Sequence, residues 1–157
     1  MSTTATARLD IKIRAPLTQD NPSGTLPGEI DALIQFSSTE ITKRHCRRYT
    51  IAASGAQSLD LASALEDGFG NALTFTKVKL IVVRNLSTSA TAAATLERPS
   101  SNGVPILSAA ATMPIDPLVV IVNKAGATVT ASTGDLISIN NSDANASAEF
   151  DVLIAGT

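Results

Sequence analysis

The run Leu73-Thr74-Phe75-Thr76-Lys77-Val78-Lys79-Leu80-Ile81-Val82-Val83-Arg84-Asn85-Leu86 decides the fold. It opens with apolar residues alternating with Thr and Lys, then closes up into the unbroken core Leu80-Ile81-Val82-Val83. Alternation is the mark of a strand, and a continuous β-branched centre marks one buried on both faces. Arg84-Asn85 supplies a turn entry after it.

Downstream, short apolar runs alternate with turn signals. Thr91 to Leu96 leads to the turn Ser100-Ser101-Asn102-Gly103, then to Val104–Leu107. Pro114-Ile115-Asp116-Pro117 precedes Leu118–Val122, and Lys124-Ala125-Gly126 reads as a tight turn into Ala127–Thr130. Ser132-Thr133-Gly134 turns into Asp135–Ile139, Asn140 to Asn145 is a polar loop, and Glu149–Ile154 is the closing strand. Upstream, Leu9–Arg14 alternates apolar and charged residues, Ile30 to Ser37 sets Ile30, Ala32, Ile34 and Phe36 on one side, and Lys43 to Ala52 is a third strand. Asp60–Asp67 is the one helical candidate, with Asp60 as N-cap, Leu61 and Leu65 on one face and Gly68 as terminator. About eight to ten short strands at this spacing predict an all-β chain, an antiparallel β-sandwich or jelly roll with one short helix. Between Pro16 and Gly28 two Pro-rich turns interrupt the pattern. Residues 1–28 therefore read as an extended N-terminal arm, and 29–157 as the sandwich domain.

Composition narrows the function. The 157 residues suit one domain, and 44% are hydrophobic, which excludes disorder. Only 17% are charged, against about 25% for a typical soluble domain, and mean hydropathy is +0.20. A lone cysteine, Cys46, excludes a disulfide scaffold, and no apolar run reaches the length of a membrane span. The N-terminus lacks the pattern of a secretory signal, so synthesis in a cytoplasm is expected and the three Asn-X-Ser matches at Asn85, Asn140 and Asn145 read as coincidence. A net charge of −2 argues against nucleic acid as a partner. Yet Lys43, Arg44, Arg47 and Arg48 crowd one strand, while the C-terminal part carries Asp116, Asp135, Asp143, Glu149 and Asp151. Such a chain can join copies of itself or dock on a charged partner.

Chemistry has little to build on. His45 is the only histidine and Cys46 is its neighbour, so on a strand their side chains leave opposite faces and form no nucleophile–base pair. One His and one Cys cannot make a structural zinc site, and no phosphate-binding Gly loop occurs. Asn140–Asn145 has oxygen donors but one carboxylate, which fits turn chemistry better than calcium. Phe36, Tyr49, Phe69, Phe75 and Phe150 all sit in or beside apolar elements, and most of them are expected in the core, which counts against a sugar platform. The expectation is a protein without catalytic residues, metal or cofactor.

Three stretches carry a resemblance. Ser58-Leu59-Asp60-Leu61-Ala62 with Leu65–Gly70, the Leu73–Asn85 strand, and Gly134–Asn141 followed by Phe150–Thr157 together resemble small structural proteins of tailed-bacteriophage virions. The likeness covers roughly residues 45–157. It implies a multimeric β-sandwich component on the capsid surface or in the tail apparatus. A capsid decoration (cement) protein would bind the major capsid protein and itself, a trimer by analogy, without nucleic acid or membrane. The interface would draw on Lys43, Arg44, Arg47 and Arg48 and on the arm prolines Pro16, Pro22 and Pro27. The alternative is a tail- or fibre-associated adhesion module for a host glycan or protein. The excess apolar surface fits either, because repeated copies bury it.

Overall fold

A computed structural model describes residues 7–14, 29–63, 65–87 and 93–157, with side chains described from Ile34 onward. These residues form β1 (Ala7–Arg14), β2 (Glu29–Phe36), β3 (Lys43–Ile51), β4 (Ala56–Asp60), β5 (Leu65–Glu66), β6 (Ala72–Leu73), β7 (Lys77–Asn85), β8 (Ala94–Glu97), β9 (Thr112–Pro114), β10 (Leu118–Thr128), β11 (Leu136–Asn141) and β12 (Ala148–Gly156). Two four-stranded antiparallel sheets, ordered β10-β7-β12-β3 and β4-β11-β8-β9, pack as a sandwich. β1 and β2 pair with each other and with neither layer, and β5 and β6 make a second small hairpin. The arm prolines Pro16, Pro22 and Pro27 lie outside the described residues.

The long strand expected over 73–86 is broken. Leu73 pairs with Leu65 in the small hairpin, and the Phe75 and Thr76 N–H groups go to the Leu61 and Thr157 carbonyls. Only 77–85 runs as one strand, between β10 and β12. Val78, Ile81 and Val83 enter the core between the sheets with Phe150, Val152 and Ile154 of β12 and Leu96, Ile137 and Ile139 from the facing layer. Leu80 points the other way, onto Ala155, Phe36 and Ile41. Each fully buried Val, Leu, Ile or Phe contributes about 1.5–3 kcal/mol, so the inner layer is the main source of stability. At Gly156 the β12–β7 register shifts, and an added Cβ would run into the Lys77 carbonyl oxygen.

Three further local expectations are corrected. The described residues contain no helix, and the 60–67 segment crosses instead from β4 to β5. Asp60 does cap, its carboxylate accepting the N–H groups of Ala62 and Ser63. But the Leu61 N–H donates to the Asp135 carbonyl and its own carbonyl accepts the Phe75 N–H, so tertiary bonds replace the helical ladder. Lys124-Ala125-Gly126 is a bulge inside β10 rather than a turn: β10 advances from Val122 to Ala127 while β7 moves only from Leu80 to Val78. Gly126, at φ 82°, and the Asn123 side chain that accepts its N–H shape that bulge. Val104–Leu107 is a loop, held by Arg98 through the carbonyls of Gly103 and Leu107.

The polar loop after β11 is turn chemistry. Buried Asn141 donates its side-chain N–H groups to the carbonyls of Ile51, Ala52 and Ala146, and its Oδ1 accepts the Asp143 N–H. The Asp143 carboxylate in turn accepts the N–H groups of Asn145 and Ala146.

Candidate interaction surface

β3 is an edge strand bound only to β12, and strand alternation divides its side chains between two environments. His45, Tyr49 and Ile51 face inward, with Arg47 at the rim. Cys46 is exposed on the outer side, so His45 and Cys46 diverge as the strand reading required. His45 is only 1% exposed. A carbonyl only accepts, so the 2.7 Å contact to Glu66 places the proton on Nδ1, leaving Nε2 to accept the Tyr49 hydroxyl at 2.9 Å. Burial pushes the Tyr49 phenol above its ordinary value. Arg47 lies 5.8 Å over the Tyr49 ring and reaches Glu66 at 3.4 Å.

The four basic residues are therefore not one patch. Lys43 donates to the Thr74 carbonyl on the inner side. Arg48 points outward to Asp151 at 2.8 Å and lies 3.9 Å from Glu149. Arg84 of β7 holds the same Asp151 at 2.6 Å from the other neighbouring strand. Hydrogen bonds from Arg48 and then Arg84 hold the Asp151 carboxyl below its ordinary range, and Asp151 raises Arg48 in return. Arg44 is exposed, beside Ala155 in register. Much of the charge imbalance along the chain is thus settled between neighbouring strands, because β12 carries Glu149 and Asp151 against β3.

The outer face of this sheet is unusually apolar. Register aligns Val120, Val82, Leu153 and Cys46 in one row across all four strands. A parallel row runs Val122, Leu80, Ala155, Arg44, and a third Leu118, Arg84, Asp151, Arg48. Phe36 and Ile41, which follow from the end of β2, bury Leu80 and Ala155. Lys124 ties this cover down, donating to the Gln35 carbonyl, pairing with Glu40 at 3.5 Å and lying over the Phe36 ring. Val82, Val120 and Leu153 stay half-buried, and Leu118 is 48% exposed. Between them lies an open depression of about 260 Å³ lined by Cys46, Val82, Leu118 and Leu153, with Arg84 and Asp151 beside them.

Phe69 is the aromatic residue that stays out of the core: it is 86% exposed. It sits in the turn between β5 and β6, where the Asp67 carboxylate accepts the N–H of Phe69 at 2.8 Å and of Asn71 at 2.9 Å. The Asn71 side chain adds a further bond to Asp67, and Gly70 supplies the left-handed residue at φ 82°. Bonds from the Asn71 side chain first, then from the Asn71 and Phe69 amides, lower the Asp67 pKa. Phe75 and Phe150 are buried in the inner core with Tyr49 packed against it, and Phe36 is buried on the outer face. Gly on both sides of Phe69, and Asp and Asn four residues apart around it, were the available signals that this ring belongs to a turn.

No protein-family model, curated protein or solved structure matches the chain.

Proposed function

We propose that this chain is a non-enzymatic bacteriophage virion protein, a capsid decoration protein that reinforces the head lattice from outside. It would be made in the host cytoplasm and assemble with the major capsid protein and with other copies of itself. The observation that carries the reading is the outer row Val120–Val82–Leu153–Cys46, an apolar sheet face that the described residues leave half-covered. Antiparallel sheets with one free face normally turn polar residues to water, so an apolar free face favours a partner. The β1–β2 hairpin adds to this, because two strands paired only with each other are marginal in water and gain from a surface to lie on.

The alternative reading, a tail- or fibre-associated adhesion module, draws support from the exposed Phe69 ring. Cryo-EM of the particle that carries the chain separates them. Density on the head exterior is expected; density confined to the tail supports the adhesion module, and its absence from the particle overturns both. Deleting residues 1–28 is expected to abolish capsid attachment while leaving the sandwich folded.

A further inference from the structure

Phe69 and the outer depression are complementary features on opposite sides of one edge strand. The β5–β6 hairpin that carries Phe69 lies against the inner side of β3, where the Glu66 carbonyl meets His45. The depression opens on the outer side, where the next residue, Cys46, lines it. Phe69 remains 86% exposed, so its own depression does not receive it. We infer that Phe69 of one copy packs onto the outer depression of the next, making a heterologous contact between copies of this chain.

The depression is open to solvent, so it can take one flat face of a phenylalanine ring against its apolar floor rather than enclose it. Chemistry agrees: Val82, Leu118 and Leu153 offer apolar walls, and Arg84, fixed by Asp151, offers a cation for the ring face. The knob is pre-organised, because Asp67 and Asn71 fix the turn before any partner arrives and little freedom is lost on docking. Aromatic side chains are over-represented among interface hot spots. The same chain presents both halves on different faces, so the contact repeats from copy to copy and closes into a ring or continues as a filament. The inference rests on the self-association in the proposed function, not on the capsid.

The test replaces Phe69 in the full chain by the photoreactive analogue p-benzoyl-phenylalanine, which keeps an aromatic knob. On irradiation, covalent multimers are expected, with cross-links mapping to Cys46, Val82, Leu118 or Leu153 of a second copy. In parallel, Phe69→Ala and Leu118→Arg are each expected to weaken self-association at least tenfold, and the double variant to weaken it little further, because both remove one contact. Leu118 is half-exposed, and far-UV circular dichroism of that variant is expected to match wild type, which separates lost contact from lost fold. An assembled chain whose cross-links fall elsewhere, or give none, overturns the contact and leaves self-association standing. A chain that is monomeric as wild type overturns both, and a ring captured only by an added glycan favours the adhesion reading against this one.

Discussion

The Asp67 carboxylate accepts the backbone N–H of Phe69 at 2.8 Å, so the most exposed ring of the chain is carried by a turn whose shape is set from within. Asn71 completes the turn through its backbone and side-chain N–H groups. The hydrogen bonds to Asp67 lie at an exposed hairpin tip outside the buried core, so they set the position of the ring more than the packing of the sandwich.

Asp67→Ala is accordingly expected to leave the thermal midpoint of the sandwich almost unchanged while weakening self-association. Hydrogen exchange at the Phe69 and Asn71 amides checks the cause: both lose protection in the variant. Preserved association with an unprotected turn would separate the ring from the assembly.

Asp151 gives a pH dependence. Its pKa is lowered, by hydrogen bonds from Arg48 and Arg84, from an ordinary value of 3.8. A carboxyl depressed in the fold contributes stability that is fully present above its unfolded value and is lost as pH falls through the folded one. The midpoint difference between wild type and Asp151→Asn is therefore expected to be largest near neutrality and to shrink below about pH 4. Thermal scans from neutral to acid pH read it directly. A difference that stays constant across that range would show that the Arg48–Asp151–Arg84 bridge does not favour the folded state.

His45 gives a prediction for stability. Its ring is enclosed, with Nδ1–H on the Glu66 carbonyl and Nε2 accepting from Tyr49. His45→Ala removes both bonds and opens a cavity, and is expected to cost about 2–4 kcal/mol in denaturant unfolding. Tyr49→Phe removes only the hydroxyl and is expected to cost about 0.5–1.5 kcal/mol. Equal losses would mean that packing around the imidazole matters little and the hydroxyl bond is the main term.

Much of the sandwich was legible in the sequence because a strand's period is short and its burial shows in composition. Leu80-Ile81 reads as a two-faced centre, and the structure sends Leu80 to Phe36 and Ile41 and Ile81 to the inner core. The same local reading failed at Asp60. The cap forms, yet Leu61 finds its hydrogen-bond partners at Asp135 and Phe75, which only the folded chain brings near. Lys124-Ala125-Gly126 carries turn residues, but a bulge uses the same chemistry without reversing the chain. The candidate surface was least legible. Its apolar row takes one residue from each of four strands, Val120, Val82, Leu153 and Cys46, and no linear pattern links them. The basic run on β3 was visible, but its compensation by Asp151 depends on register with the last strand.

The proposed self-assembly can be read in solution. Sedimentation velocity on the full wild-type chain, followed from about micromolar to a hundredfold higher concentration, tests it most directly. A discrete multimer or concentration-dependent growth is expected, shifted to at least tenfold higher concentration in Phe69→Ala. A wild-type chain that sediments as a soluble monomer over the whole range would contradict it.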